Sequence, residues 1–216
     1  MDFAVAREKM VESQLRTNRV SSSLILGGFE TLPRERFVPG TLESIAYVDE
    51  DLPLGDGRYL MEPMVLGRLL EAAEPVAGDS ALVIGAGTGY EAALLSQVVG
   101  AVVALESVPA LADRMEALLD DLGCVNATVA RGPLQDGWPA SGPYTVILFV
   151  GAIEVLPEAI KAQLAEGGRL LAVQREGPIG RAKLYRRDAG YLSARVLFDA
   201  GTPVLKEFAK PPAFVF

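Results

Sequence analysis

Histidine is absent from this chain of 216 residues, and cysteine occurs once, at Cys124. Without histidine there is no Ser-His-Asp or Cys-His machinery, no histidine general base and no histidine-ligated zinc. A lone thiol forms no internal disulfide and supplies no structural zinc site, so a reducing cytoplasm is the expected location and no metal is expected. Cys124 stands in Leu122-Gly123-Cys124-Val125, which reads as a strand entrance with a small buried thiol. Long apolar runs are missing too. Stretches such as Val146-Ile147-Leu148-Phe149-Val150 are far too short to span a bilayer. Asp2 comes early and no apolar segment follows it, so no signal peptide is expected. Basic residues are outnumbered 20 to 28, for a net charge of −8, which argues against a nucleic-acid partner. Half the residues are apolar, enough for one globular domain with a small appendage.

Against these absences stands one strong pattern, Ala81-Leu82-Val83-Ile84-Gly85-Ala86-Gly87-Thr88-Gly89-Tyr90, followed by Glu91-Ala92-Ala93-Leu94-Leu95-Ser96. An apolar strand runs into a glycine turn and then a helix start, as in a nucleotide-binding α/β unit. Glycines permit the tight turn and a close backbone approach, and the helix N-terminus offers unpaired N–H groups to a ligand. The spacing is G-x-G-x-G with Tyr90 next, where a dinucleotide fingerprint wants glycine or alanine. That favours S-adenosylmethionine over a nicotinamide cofactor. Glu106 ends the strand Ala101–Glu106, 106 − 85 = 21 residues after Gly85, placed to accept from two ribose hydroxyls. The alternative is a structural turn with a solvated acid at a strand end.

Along the chain, residues 2–18 read as an amphipathic helix, and Ser21 or Ser22 caps a second helix through Thr31. Residues 45–58 read as a loop, with Asp49-Glu50-Asp51 as a solvated acidic run lacking calcium-loop spacing. A helix spans Glu62–Ala73. Strands are expected at Ser80–Ile84, Ala101–Glu106, Ala127–Ala130, Tyr144–Val150 and Arg169–Gln174. The helices between them are Tyr90–Val98, Val108–Leu122 and Leu156–Leu164. Antiparallel strands follow at Ala182–Arg187, Tyr191–Leu197 and Pro212–Phe216, the first two joined by Asp188-Ala189-Gly190. The fold class is a Rossmann-like α/β methyltransferase: a doubly wound, mostly parallel sheet with antiparallel C-terminal strands. Residues 1–75 would carry the N-terminal helices and substrate loop, 76–175 the cofactor-binding core and 176–216 the final strands.

Several segments together resemble the protein-L-isoaspartate O-methyltransferase family. They are Met10-Val11-Glu12-Ser13-Gln14-Leu15-Arg16, Pro33-Arg34-Glu35-Arg36-Phe37-Val38-Pro39, Ala46-Tyr47-Val48-Asp49 and Leu52-Pro53-Leu54-Gly55-Asp56-Gly57. Gly137-Trp138-Pro139 and Gln163-Leu164-Ala165-Glu166-Gly167-Gly168-Arg169-Leu170 complete the set. The resemblance implies a monomeric repair enzyme. Such an enzyme uses S-adenosylmethionine, without a metal, to methylate the α-carboxylate of isoaspartyl residues in damaged proteins. It also implies a cofactor site at Gly85, Ala86, Gly87, Thr88, Gly89, Glu106, Gly132, Pro133 and Leu134.

The chain departs from that family at working positions. The family's substrate loop reads glycine-glutamine-threonine-isoleucine-serine-x-proline; here it is Gly57-Arg58-Tyr59-Leu60-Met61-Glu62-Pro63. Met61 stands where the family serine would hold the acceptor, and a thioether donates no hydrogen bond. Arg58 and Tyr59 are the candidate replacements, Arg58 by bidentate pairing with a carboxylate; alternatively Arg58 is a solvated loop residue and Tyr59 packs. Val83 replaces an acid before the glycine turn, and Gly132-Pro133-Leu134 replaces glycine-aspartate-glycine. Tyr144-Thr145 stands where phenylalanine-aspartate is usual. Three readings follow: an isoaspartyl carboxyl methyltransferase, a methyltransferase with another carboxylate acceptor, and a non-catalytic module on the methyltransferase fold.

Overall fold

The computed structural model describes residues 2–211; the strand expected at Pro212–Phe216 lies outside them. The amphipathic N-terminus forms α1 (Phe3–Met10), capped by the Asp2 carboxylate on the Ala4 and Val5 N–H groups. The helical path continues through a π-turn at Val11–Leu15 and a 3₁₀ turn at Arg16–Asn18. Thus the expected single helix is broken into three hydrogen-bonding patterns while keeping Met10, Val11 and Leu15 buried. α2 (Ser23–Thr31) starts after Ser22, whose side chain makes no cap bond. Instead Ser21 Oγ and the Ser22 N–H donate to the Glu71 carboxylate, at 2.7 and 3.1 Å.

The 45–58 region is not a plain loop. It holds a separate two-stranded antiparallel hairpin, β1 (Leu52–Gly55) and β2 (Arg58–Leu60). Asp56 and Gly57 make its turn with φ of 51° and 75°, the left-handed backbone that tight hairpins need. The acidic run is not solvated throughout. Asp51 accepts from the Glu62 N–H at 2.9 Å and Asp49 from the Met64 N–H at 3.0 Å. Both carboxylates therefore satisfy orphan donors at the start of α3 (Pro63–Ala73).

The main sheet follows as β3 (Ser80–Ile84), α4 (Tyr90–Ser96), β4 (Ala101–Glu106), α5 (Pro109–Asp121) and β5 (Ala127–Arg131). Then come β6 (Tyr144–Ile153), a short α6 (Glu158–Lys161), β7 (Leu164–Glu176), β8 (Ile179–Asp188) and β9 (Tyr191–Asp199). The order is β5-β4-β3-β6-β7-β8-β9, parallel through β7 and antiparallel for β8 and β9. β7 begins five residues before the expected Arg169 because Leu164 already pairs with Tyr144 across a register shift. Cys124 is only half-buried and sits in the turn ahead of β5, not at a strand entrance. No helix among the described residues is long and apolar enough to cross a membrane.

Two apolar layers sandwich the sheet, one including α3, α4 and α5 and the other containing Ile84, Phe149, Leu205 and Phe208. The strand order reverses between β3 and β6, which turn away to opposite sides of the sheet after their carboxyl ends. In open α/β sheets that point is where ligands bind.

Candidate cofactor and acceptor site

The glycine turn sits at this switch point. Gly85, Gly87 and Gly89 have φ of 74°, 55° and 94°, a left-handed conformation that only glycine adopts cheaply. The Gly85 and Ala86 N–H groups donate to the Leu105 carbonyl at 3.0 and 3.1 Å, which ties the turn to β4. The side chain of Thr88 is turned inward, its hydroxyl donating to the Phe37 carbonyl at 2.6 Å.

Glu106 lies beside the turn with no exposed surface. Its Oε2 accepts from the Gly87 N–H at 2.9 Å, and its Oε1 accepts from the Ser107 and Val108 N–H groups at 2.7 and 2.9 Å. The remaining donor is Arg58 Nε, 3.1 Å from both oxygens. Arg58 is not a solvated loop residue: its side chain is fully buried. The alternation of β2 turns Arg58 and Leu60 inward and leaves Tyr59 half-buried on the opposite face. Arg58 Nη2 also donates to Glu207 Oε1 at 2.7 Å and to Ser107 Oγ at 2.9 Å, and Nη1 reaches Glu207 Oε2 at 3.3 Å. Burial alone would raise the Glu207 carboxyl, but its hydrogen bonds from Arg58 outweigh that and hold it below the usual carboxylate range.

The cradle itself is filled. A Cβ on Gly85 would lie 3.2 Å from Leu205, and one on Gly151, at the end of β6, 2.8 Å from the same side chain. A Cβ on Gly87 would meet Leu54 at 2.8 Å and one on Gly89 would meet Met115 at 2.7 Å. Leu205 is held there by backbone pairing, since the Leu205 N–H donates to the Ala152 carbonyl and the Ala152 N–H to the Pro203 carbonyl. An ionised carboxylate offers about four lone-pair sites, and those of Glu106 are taken. In this conformation the residues do not fit S-adenosylmethionine: the acid has no acceptor left for a ribose, and apolar side chains stand on the turn. An open groove of about 630 Å³ lies among Glu154, Lys161, Gln174, Lys183 and Tyr185, none of which belongs to the turn.

The other candidates scatter. A Cβ on Gly132 would lie 3.5 Å from the Trp138 ring, Pro133 is exposed, and Leu134 is fully buried in the core. Val83 is wholly buried. Thr145 Oγ1 receives the Ser80 N–H at 2.9 Å, a structural use of the position. Met61 is buried in the core, and its carbonyl accepts from Arg34 Nη2 at 2.7 Å. Arg34 is the residue that sequence reading passed over. It is fully buried, donates also to the Ala46 carbonyl at 2.7 Å, and lies 5.0 Å over the Tyr90 ring. Its place in Pro33-Arg34-Glu35-Arg36 gives no hint of which arginine turns inward; the only signal is the connector's resemblance to the family. Glu91 is buried beside it, its Oε1 without a partner among the described residues, and desolvation pushes its carboxyl up to about 7. Desolvation and then the neighbouring Asp51, Asp49 and Glu50 push Glu62 up to about 7 as well.

Comparison with known proteins gives a consistent answer. The family described as protein-L-isoaspartate(D-aspartate) O-methyltransferase matches residues 6–199. A protein-L-isoaspartate O-methyltransferase 1 of Rhodopseudomonas palustris (strain HaA2) is 40% identical over 169 residues, 78% of this chain and 69% of that protein. A protein-L-isoaspartate O-methyltransferase of Koribacter versatilis (strain Ellin345) is 35% identical over 202 residues, 91% of this chain and 89% of that one. A solved protein-L-isoaspartate O-methyltransferase superposes with a TM-score of 0.81 at 28% identity, over 92% of this chain; the match spans 65% of that longer chain. A Plasmodium falciparum chain solved with S-adenosyl-L-homocysteine shares the fold at a TM-score of 0.81 and 18% identity, covering 93% of this chain and 98% of that one. This chain belongs to the protein-L-isoaspartate(D-aspartate) O-methyltransferase family.

Proposed function

We propose that this chain is an S-adenosylmethionine-dependent carboxyl O-methyltransferase that esterifies the free carboxylate of isoaspartyl residues in damaged proteins. It would work as a monomer in the cytoplasm, with residues 1–216 acting as one domain. The observation that carries the reading is the glycine turn at the sheet's switch point, with Glu106 2.9 Å from the Gly87 N–H. Family membership over residues 6–199 supports it. The absence of histidine is compatible with this chemistry. A carboxylate acceptor, with a pKa near 4, is already ionised at neutral pH and needs no general base. The protein's part is to position the acceptor and exclude water. Gly85–Gly89 and Glu106 are the residues proposed for the cofactor once the cleft is open, and Tyr59 is the hydrogen-bond donor of the substrate loop proposed to meet the acceptor.

The test is methyl-ester formation on an isoaspartyl peptide beside its aspartyl counterpart. Esterification of the isoaspartyl peptide alone is expected. No product at high enzyme and saturating cofactor would overturn the reading. The filled cradle favours a second reading, a non-catalytic module on the same fold, which would bind neither cofactor nor product.

A further inference from the structure

We propose that Arg58 is an internal occupant of the cofactor's ribose position, and that cofactor binding and withdrawal of the hairpin tip are one coupled equilibrium. The inference rests on the methyltransferase reading of the site.

Three observations converge on it. First, Arg58 Nε supplies the last donor to Glu106, an acid already holding three backbone N–H groups. A ribose could reach that carboxylate only by displacing the guanidinium. Second, Arg58 is clamped from its far side by Glu207, in the 3₁₀ turn Lys206–Phe208. The same segment sends Leu205 onto Gly85 and Gly151. One latch therefore joins two segments that cover both strands at the switch point. Third, the plug is attached differently at its two ends. Leu60 and Met61 are anchored in the core at the base of the hairpin. The tip carries exposed Gly55, Asp56 and Gly57 and pairs with no strand of the main sheet. A two-stranded ribbon is marginal by itself, so Leu54 and Arg58 at its tip can lift while the base stays in place.

Coupling of this kind weakens apparent affinity by the fraction of molecules that are open. A cleft open in about 1–10% of molecules raises the dissociation constant about 10- to 100-fold. Loosening the clamp recovers that factor. Removing the Glu207 charge weakens a charge-assisted clamp and recovers about tenfold of that factor.

The experiment is calorimetric titration with S-adenosylhomocysteine of the wild-type protein, Glu207→Gln and Arg58→Met. Both variants should bind at least about tenfold more tightly than wild type. If Arg58→Met fails to fold, as its circular dichroism would reveal, Glu207→Gln decides alone. Equal affinity of wild type and Glu207→Gln would overturn the latch while leaving the methyltransferase reading intact. No binding by wild type or by any folded variant at millimolar ligand would overturn the methyltransferase reading, and the latch with it.

Discussion

The segment Ser80–Glu106 and the hairpin Leu52–Leu60 meet at one carboxylate but reach it by different physics. In the first, everything that matters is local. An apolar run makes β3, three glycines turn the chain, and β4 brings Glu106 back alongside within a single β/α/β unit. In the second, everything that matters is distant. Arg58 finds Glu106 48 residues away and Glu207 149 residues away. A cation reads as solvated when its neighbours in sequence are considered, and Arg58 is nonetheless fully buried. The lesson is that a glycine turn legible in the sequence can take a buried partner from a segment that only the fold brings to it.

The comparison is broken most severely by removing the cation. Arg58→Met leaves Glu106 buried without its partner, and stability in urea should fall by about 3–5 kcal/mol. A solvated arginine would change it by less than about 0.5 kcal/mol.

A smaller effect separates the two regions through a buried acid next to the turn. Glu91 lies on α4, and burial pushes its carboxyl up to about 7 from an ordinary 4.5. Between those values the unfolded chain has lost the proton and the folded chain keeps it, so stability falls as pH rises through that window. Glu91→Gln removes the dependence. It should be about 1–3 kcal/mol more stable than wild type at pH 8 and lose that advantage near pH 4.5. A constant difference between the two proteins across this range would show that Glu91 is not held protonated.

Glycines sharpen the contrast further. Gly89→Ala places a Cβ 2.7 Å from Met115 at φ 94°, whereas Gly57→Ala in the hairpin turn meets nothing within 4 Å at φ 75°. The first should cost about 2–3 kcal/mol and the second about 1 kcal/mol, since only backbone strain remains there. Comparable losses in thermal melts would mean that Met115 yields and the turn is looser than described. The smallest change is expected at the exposed Glu12–Arg16 pair, 2.7 Å apart one helical turn along the N-terminal helix. Glu12→Gln should cost no more than about 0.5 kcal/mol and nothing at high salt.

Sequence reading succeeded where a pattern closes on itself. The limits of β3 and β4 agree residue for residue with the apolar runs, because a buried parallel strand is uninterrupted and its end is marked by glycine or acid. The turn Asp188-Ala189-Gly190 joins β8 to β9, with Ala189 and Gly190 both at positive φ. It failed where partners are remote. The acidic run and Gly55-Asp56-Gly57 made residues 45–58 read as a loop, although the pairing of Leu52 with Leu60 makes part of it a hairpin. Asp49 and Asp51 read as solvated until α3 is seen to start on them. For the site, the turn and Glu106 were legible. The inward face of Arg58 depends on the strand that the loop reading missed, and Leu205 and Glu207 follow β9 with no motif to mark them.

Hydrogen exchange at the β2 amides of Arg58 and Tyr59, followed with and without saturating S-adenosylhomocysteine, reports on the hairpin tip itself. Faster exchange on ligand binding is the predicted result, because the cofactor and the closed hairpin compete for Glu106. Protection of those amides by the bound ligand would contradict it, since the hairpin would then close over the cofactor rather than stand in its place.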